Sequence, residues 1–302
     1  MSDVTPPPLP EPPTGLGIWI AGARPRTLGV SAAPVVVGTA AGHLVADSVI
    51  WWRAIAALVV ALALQVGVNY ANDYSDGVRG TDADRRGPVR LTASGLATPG
   101  AVKGAAMLAF LVAALAGLLL AAAVDWRLIL VGLLAIAAGA LYTGGPKPYG
   151  YRGLGELMVF VFFGLVATCG SQYVQIEEIT NTAVWGSFVV GLPTVAVLLA
   201  NNIRDIPTDA VAGKRTLAVR LGPIRARQLF GICIAGSLIA LGLVCIDAPW
   251  AFLGFGAVAF AIQPVHLVLS RDDPPGLVAG LIATVRFTMV LSALTALGIV
   301  LS

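Results

Sequence analysis

Two stretches concentrate the oxygen donors of this chain. Asn69 to Asp84 contains Asn72, Asp73, Asp76 and Asp82, and Asn201 to Asp209 contains Asp205 and Asp209. Residues four apart share a helical face, so Asn72 projects with Asp76 and Asp205 with Asp209. A like-charge pair at that spacing costs roughly 0.2–0.5 kcal/mol even on an exposed helix. Both stretches close apolar runs, where a carboxylate is costlier still and by default marks function. A counter-cation removes the penalty. Mg2+ takes one or two carboxylates and completes its shell with water and substrate phosphates, so two acidic groups fit a diphosphate held through bridging Mg2+. Arg90, Lys147, Lys214 and Arg215, with Arg204 inside the second stretch, supply cations for substrate oxygens, Arg in bidentate fashion.

Other metal chemistry finds no residues to support it. Cys169, Cys233 and Cys245 lie singly in apolar runs, and His43 and His266 are far apart. No thiolate or imidazole site and no disulfide framework is implied, and any metal should be a hard, oxygen-liking ion.

The elements that must position these residues are membrane helices. Of 302 residues 57% are hydrophobic and only 12% charged, half the share of a soluble domain, and mean hydropathy is +0.86. The expected fold is an all-α integral membrane protein, nine transmembrane helices in one bundle around a central cavity, with the two Asp-rich stretches capping its cytosolic end. The apolar runs are 17–45, 51–73, 101–124, 126–144, 154–175, 182–204, 227–247, 249–270 and 277–301. All six Trp fall near their ends, as interfacial aromatics should. Residues 1–15 are read as a disordered, Pro-rich cytosolic tail without signal-peptide features, and 16–302 as the nine-helix domain.

Basic residues set the orientation. Arg79, Arg85, Arg86, Arg90 and Lys103 follow the second run, Lys147 and Arg152 the fourth, Arg204 to Arg227 the sixth and Arg271 the eighth. The intervening loops hold little beyond Arg53 and Arg127, so the N-terminus and both acidic stretches are expected in the cytosol. A net charge of +3 gives no reason to expect nucleic acid; the bilayer is the expected surroundings. The motifs also read as a repeat, an Asn four residues before an Asp at Asn72/Asp76 and again at Asn201/Asp205.

Some charges have plainer explanations. Asp84, Arg85, Arg86 and the bases from Arg220 to Arg227 read as solvated loop faces. Glu156 suits the first turn of a helix, where the dipole favours an anion. Arg286, well inside the ninth run, is expected to pair inward with an acid. Tyr142 and Tyr149 divide evenly between interfacial aromatics and substrate contacts.

At these residues the sequence resembles the UbiA superfamily of intramembrane aromatic prenyltransferases. Asn72 to Asp76 followed by Asp82 looks like its first Asp-rich motif. Asp205 to Asp209 with Gly213 to Leu217 behind it looks like the second, and Tyr142 to Lys147 is similar to its Tyr/Lys motif. Asp82 stands six residues after Asp76, where the superfamily commonly has four. The longer spacing resembles the menaquinone branch, the 1,4-dihydroxy-2-naphthoate polyprenyltransferases, as do the segments Gly22 to Thr27, Gly87 to Leu91 and Tyr142 to Glu156.

The resemblance implies Mg2+-dependent transfer of a polyprenyl group from its diphosphate to 1,4-dihydroxy-2-naphthoate, with loss of CO2 and diphosphate. It implies metal ligation by Asn72, Asp73, Asp76, Asp82, Asp205 and Asp209. It implies catalytic roles for Asp76, Asp205, Asp209 and Lys147. Substrate contacts are expected from Arg24, Arg90, Tyr142, Lys147, Arg204, Lys214 and Arg215, with Arg24 toward the acceptor carboxylate. A superfamily member acting on hydroxybenzoate, homogentisate or a phosphoribosyl donor would share the metal ligands. A CDP-alcohol phosphotransferase would need D-G-x-x-A-R, which Asp76 to Thr81 does not supply. A cation-coupled transporter would carry its acids near the midplane rather than at one end.

Overall fold

The computed structural model describes residues 13–80 and 90–302, and every element among them is helical. Asp82 and most of the expected tail, residues 1–12, lie outside the described residues. The elements are α1 (Leu16–Ala23), α2 (Pro25–Ala46), α3 (Trp51–Arg79), α4 (Pro99–Ala123) and α5 (Leu128–Leu141). Then come α6 (Gly155–Val159), a π-helical turn Phe160–Val166 and α7 (Ala167–Ile176), which form one rod. α8 (Asn181–Val211) and α9 (Leu217–Asp247) follow, then a 3₁₀ segment Pro249–Ala257 running into α10 (Val258–Ser270), and α11 (Pro274–Val300).

Eight of these are long and apolar enough to cross a membrane: α2, α3, α4, the rod Gly155–Ile176, α8, α9, the rod Pro249–Ser270 and α11. The run expected at 126–144 yields only the 14-residue α5, about 21 Å at 1.5 Å per residue. The expected first run is cut at Arg24, which takes a left-handed conformation at φ 57 and caps both α1 and α2. Pro25 disfavours the α region for the residue before it, which moves the break onto Arg24. Two other runs extend further than hydropathy alone indicates. α3 continues to Arg79 and α8 to Val211, so Asn72, Asp73 and Asp76 of the first motif and Asp205 and Asp209 of the second sit on helix rather than in loops.

α8 lies deepest, packed on α9, α2 and α11, while α3 pairs with α4 on the other side. Val189, Val190, Leu199, Phe230, Leu241, Phe287 and Leu291 are fully enclosed between these helices. The π turn approaches α8 through glycine: a Cβ on Gly164 would meet the Gly191 Cα at 3.0 Å and the Ser187 carbonyl at 3.1 Å. Such small-residue contacts let helices close without a hydrophobic drive between them. Some hydroxyls inside the bundle are satisfied locally: Thr284, Thr288 and Ser292 donate to carbonyls one turn back. The outer surface is the reverse of a soluble protein's. Leu108, Leu119, Leu130 and Ile239 are more than 60% exposed, as expected of side chains that face lipid. Arg286 is corrected by this packing: it faces outward from α11 instead of pairing within the bundle.

Candidate active site

The helix ends that carry Asn72 and Asp76 on α3 and Asn201 and Asp209 on α8 border one cavity of about 1120 Å³. Its polar end also receives Arg24, Arg90, Tyr142, Arg204 and Lys214. The rest of its wall is mostly apolar, including Leu120, Leu128, Val131, Phe162, Phe163 and Val174, with Ser31, Gln65 and Thr194 among them. A charged head at one end and an apolar trough beyond it is the shape of an amphipathic ligand.

Each polar group arrives by a traceable route. Asp76, buried near the last turn of α3, accepts from the Tyr151 hydroxyl and pairs with Lys214 Nζ at 3.1 Å. Lys214 is itself buried and stands 4.9 Å from the Tyr151 ring centre. It follows the second motif in sequence yet neutralises the first, which joins the two helix ends. Its amide donates to the Asp209 carbonyl at 2.8 Å, so the chain turns directly from α8 to this contact. Arg90 adds a further positive charge beside Asp76. Asn72 Oδ1 accepts from Thr143 at 2.7 Å, and Arg79 donates to the Thr143 and Gly145 carbonyls. Together these fasten the loop after α5 across the end of α3.

On α8, Arg204 grips Asp205 with two nitrogens at 2.7 Å and reaches Asn201 Oδ1 at 2.9 Å. The pair is almost wholly buried, at 3% and 4% side-chain exposure. Asp205 does not line the cavity, whereas Asp209, one turn on, does. Pro207 between them has no N–H to offer the carbonyl one turn back, a gap tolerated in membrane helices. At the α1–α2 break, Asn69 donates to the Ala23 carbonyl at 2.9 Å and Tyr70 to the Trp19 carbonyl at 2.7 Å. These pin α1 to α3 and set Arg24 in the cavity wall. Tyr149 donates to the Ala138 carbonyl at 2.8 Å, and burial pushes its phenol up to about 12, so it serves as a fixed donor.

Besides Asp205, three expected residues are placed outside the cavity wall. Asp73 is buried and accepts from the amides of Leu91 and Thr92 at 2.8 and 2.9 Å, with one oxygen for each. It anchors the segment that delivers Arg90 and does not border the cavity. Lys147 and Arg215 are exposed and line a separate concavity. Sequence reading missed Tyr151 and Thr143, which touch Asp76 and Asn72, and Asn202, which donates to buried Glu156 at 2.9 Å. Their signal was their place in the Tyr142 to Glu156 segment and beside Asn201.

The donors suit a hard cation, since Asn72, Asp76, Asn201 and Asp209 offer oxygen and no thiolate or imidazole is near. Among the described residues no three His, Cys, Asp or Glu side chains converge.

Residues 31–281 match the UbiA prenyltransferase family. A 1,4-dihydroxy-2-naphthoate octaprenyltransferase of Mycobacterium tuberculosis is 51% identical over 252 residues, 83% of this chain and 86% of that protein. One from Escherichia coli is 35% identical over 301 residues, 94% and 95% of the two chains. Among solved structures, a UbiA homolog from Archaeoglobus fulgidus bound to GPP and Mg2+ superposes with a TM-score of 0.62 at 15% identity. That alignment covers 92% of this chain and 99% of the other.

Proposed function

The chain belongs to the UbiA prenyltransferase family, and from that premise we propose that it transfers a polyprenyl group from polyprenyl diphosphate to 1,4-dihydroxy-2-naphthoate. CO2 and diphosphate are lost, and demethylmenaquinol, the reduced form of demethylmenaquinone, is formed for menaquinone synthesis. The observation that carries this reading is the single cavity in which two acidic helix ends and buried cations meet an apolar trough. Relatives named for this acceptor cover more than four-fifths of the chain and support the choice of naphthoate.

The cation is divalent, Mg2+ in our reading, with Asn72, Asp76 and Asp82 from the first motif and Asp209 from the second as its direct or water-mediated holders, while Asp205, expected among them, is held by Arg204 and braces that end of α8. When bound, such an ion would supply positive charge to the leaving diphosphate and so favour ionisation of the allylic C–O bond. Lys214 and Arg90 hold phosphate oxygens at the head of the cavity, where low dielectric strengthens their pull. Tyr151 orients the Asp76 carboxylate through its hydroxyl. Arg24 and Tyr142 face the acceptor, Arg24 toward its carboxylate. The prenyl tail lies along Phe162, Phe163 and Val174. The ring attacks the allylic carbon at its carboxylate-bearing position. Loss of CO2 then restores aromaticity, so no strong protein base is required.

Residues 16–302 act as one domain, and α5 with its flanking turns is read as a ninth crossing. The protein is a multi-pass membrane enzyme. Its place is the bacterial cell membrane, with the acidic motifs on the cytosolic side, where the basic loops lie. The test is mass spectrometry of products from purified protein, Mg2+, a short prenyl diphosphate and either dihydroxynaphthoate or hydroxybenzoate. A prenylated naphthalenediol lacking the carboxyl group is expected. Turnover of hydroxybenzoate alone, or a product that keeps CO2, would sink the assignment.

A further inference from the structure

Beside the main cavity lies a second concavity of about 420 Å³, and Lys147, Arg152, Arg215 and Arg220 stand around it with Tyr151. All four cations are exposed, and among the described residues none has a carboxylate partner. Among the described residues no acid lines the space. Four like charges about one hollow repel each other, so the backbone must hold them there. The Arg215 amide donates to the Tyr151 carbonyl at 3.0 Å, which staples the two loops together. Arg220 Nε donates to the Arg215 carbonyl at 3.2 Å. Gly153, at φ 76, admits Arg220 alongside it, since a Cβ there would meet Arg220 Cδ and Nε at 3.0 Å.

Tyr151 is a wall of both spaces. Its hydroxyl donates to Asp76 in the main cavity, and its ring lies within 4.9 Å of Lys214 and 5.6 Å of Arg79. A polyanion leaving the Lys214 region therefore has a second set of cations one side chain away. Among the described residues of the smaller wall Pro148 is the one wholly apolar side chain, a lining suited to a polyanion rather than to an acyl chain.

We propose that this basic concavity binds free inorganic diphosphate and takes the leaving group from the main cavity once transfer has occurred. That the anion is the enzyme's own product rests on the prenyl-transfer reading. That the hollow binds a phosphoryl anion rests on its cations alone.

The test uses the purified full chain in detergent and compares it with Arg152→Ala/Arg220→Ala and Arg152→Lys/Arg220→Lys. Binding of radiolabelled diphosphate is measured in chelator, and the share of the basic hollow is read as the difference between the parent and the alanine pair. Product inhibition by added diphosphate is measured with Mg2+, each protein's rate without addition serving as its own reference. Loss of charge-assisted contacts should weaken binding and raise the inhibition constant about ten-fold in the alanine pair. The lysine pair should stay near the parent in both measurements. Equal constants in parent and alanine pair overturn the proposal. So does a difference that appears only in phosphatidylglycerol nanodiscs and not with diphosphate, which would assign a lipid headgroup instead. A parent that binds diphosphate in chelator but forms no prenylated product would refute the proposed function and leave the anion site standing.

Discussion

The ends of α3 and α8 carry the same Asn-to-Asp spacing, Asn72/Asp76 and Asn201/Asp205, yet they are neutralised by different means. On α8 the countercharge is local, because Arg204 sits next to Asp205 and closes on it with two nitrogens. On α3 it is imported, since Asp76 draws Lys214 from beyond α8 and Tyr151 from the loop before α6. The α8 pair therefore holds its own helix end together, while the α3 acid holds two helix ends against each other. A motif of one spacing thus yields an internally balanced acid in one copy and a junction in the other. The acid that borders the cavity shifts accordingly, to Asp76 in the first and to Asp209, one turn on, in the second.

The comparison can be broken by removing its members, and the largest effect should come from the acids that face the cavity. Asp76→Ala and Asp209→Ala should each lower prenyl transfer on the order of 1000-fold. Both proteins should still insert and run as folded species on size exclusion, and a near-normal rate at saturating Mg2+ would contradict their roles. Arg204→Met should act on stability as well, because it strands a buried carboxylate, at a cost of about 3 kcal/mol. The double change Arg204→Met/Asp205→Leu should recover much of that in thermal unfolding. Failure to recover would mean that Asp205 relies on partners other than Arg204.

Asp73 tests the difference between an anchor and a ligand. Asp73→Ala should cost about 2 kcal/mol by freeing two buried amides. It should also raise KM for the prenyl diphosphate as Arg90 loses its seat, and leave the Mg2+ dependence unchanged. A shift in the metal activation curve would restore Asp73 to the ligand set. The smallest effect lies at the cap of α11. Arg271 beside Asp273, aided by the Gly276 amide, holds the Asp273 carboxyl down to about 2, below its usual 3.8. A depressed acid stabilises above its unfolded value and loses that effect as pH falls through the folded one. The melting difference between parent and Asp273→Ala should therefore be small at pH 6 and shrink toward pH 2. A difference that grows in acid would reverse the sign.

Much of this was open to reading before any fold was known. The shared faces of Asn72 with Asp76 and Asp205 with Asp209 follow from helical periodicity, and both motifs are helical. What periodicity hid is equally specific. Asp73 was grouped with its neighbours by sequence, but one residue's rotation about α3 turns it to the amides of Leu91 and Thr92. Lys147 and Arg215 are close in sequence to Tyr142 and Lys214, yet the loops carry them to the far side of Tyr151. Arg286 carried no sign of its direction, because a helix apolar on nearly every face does not mark its inner side.

What the sequence determined by itself was eight of the nine membrane runs, the helical character of the acids from Asn72 to Asp76 and from Asp205 to Asp209, and the oxygen-rich donor chemistry. Those depend on residue type and on spacing along one helix, quantities that are local. Tertiary structure alone decided which acid looks into the cavity, that Lys214 crosses to Asp76, and that a second cationic hollow lies behind Tyr151. These depend on the path of loops and the register between helices, where a rotation of one residue, about 100°, exchanges a ligand for an anchor.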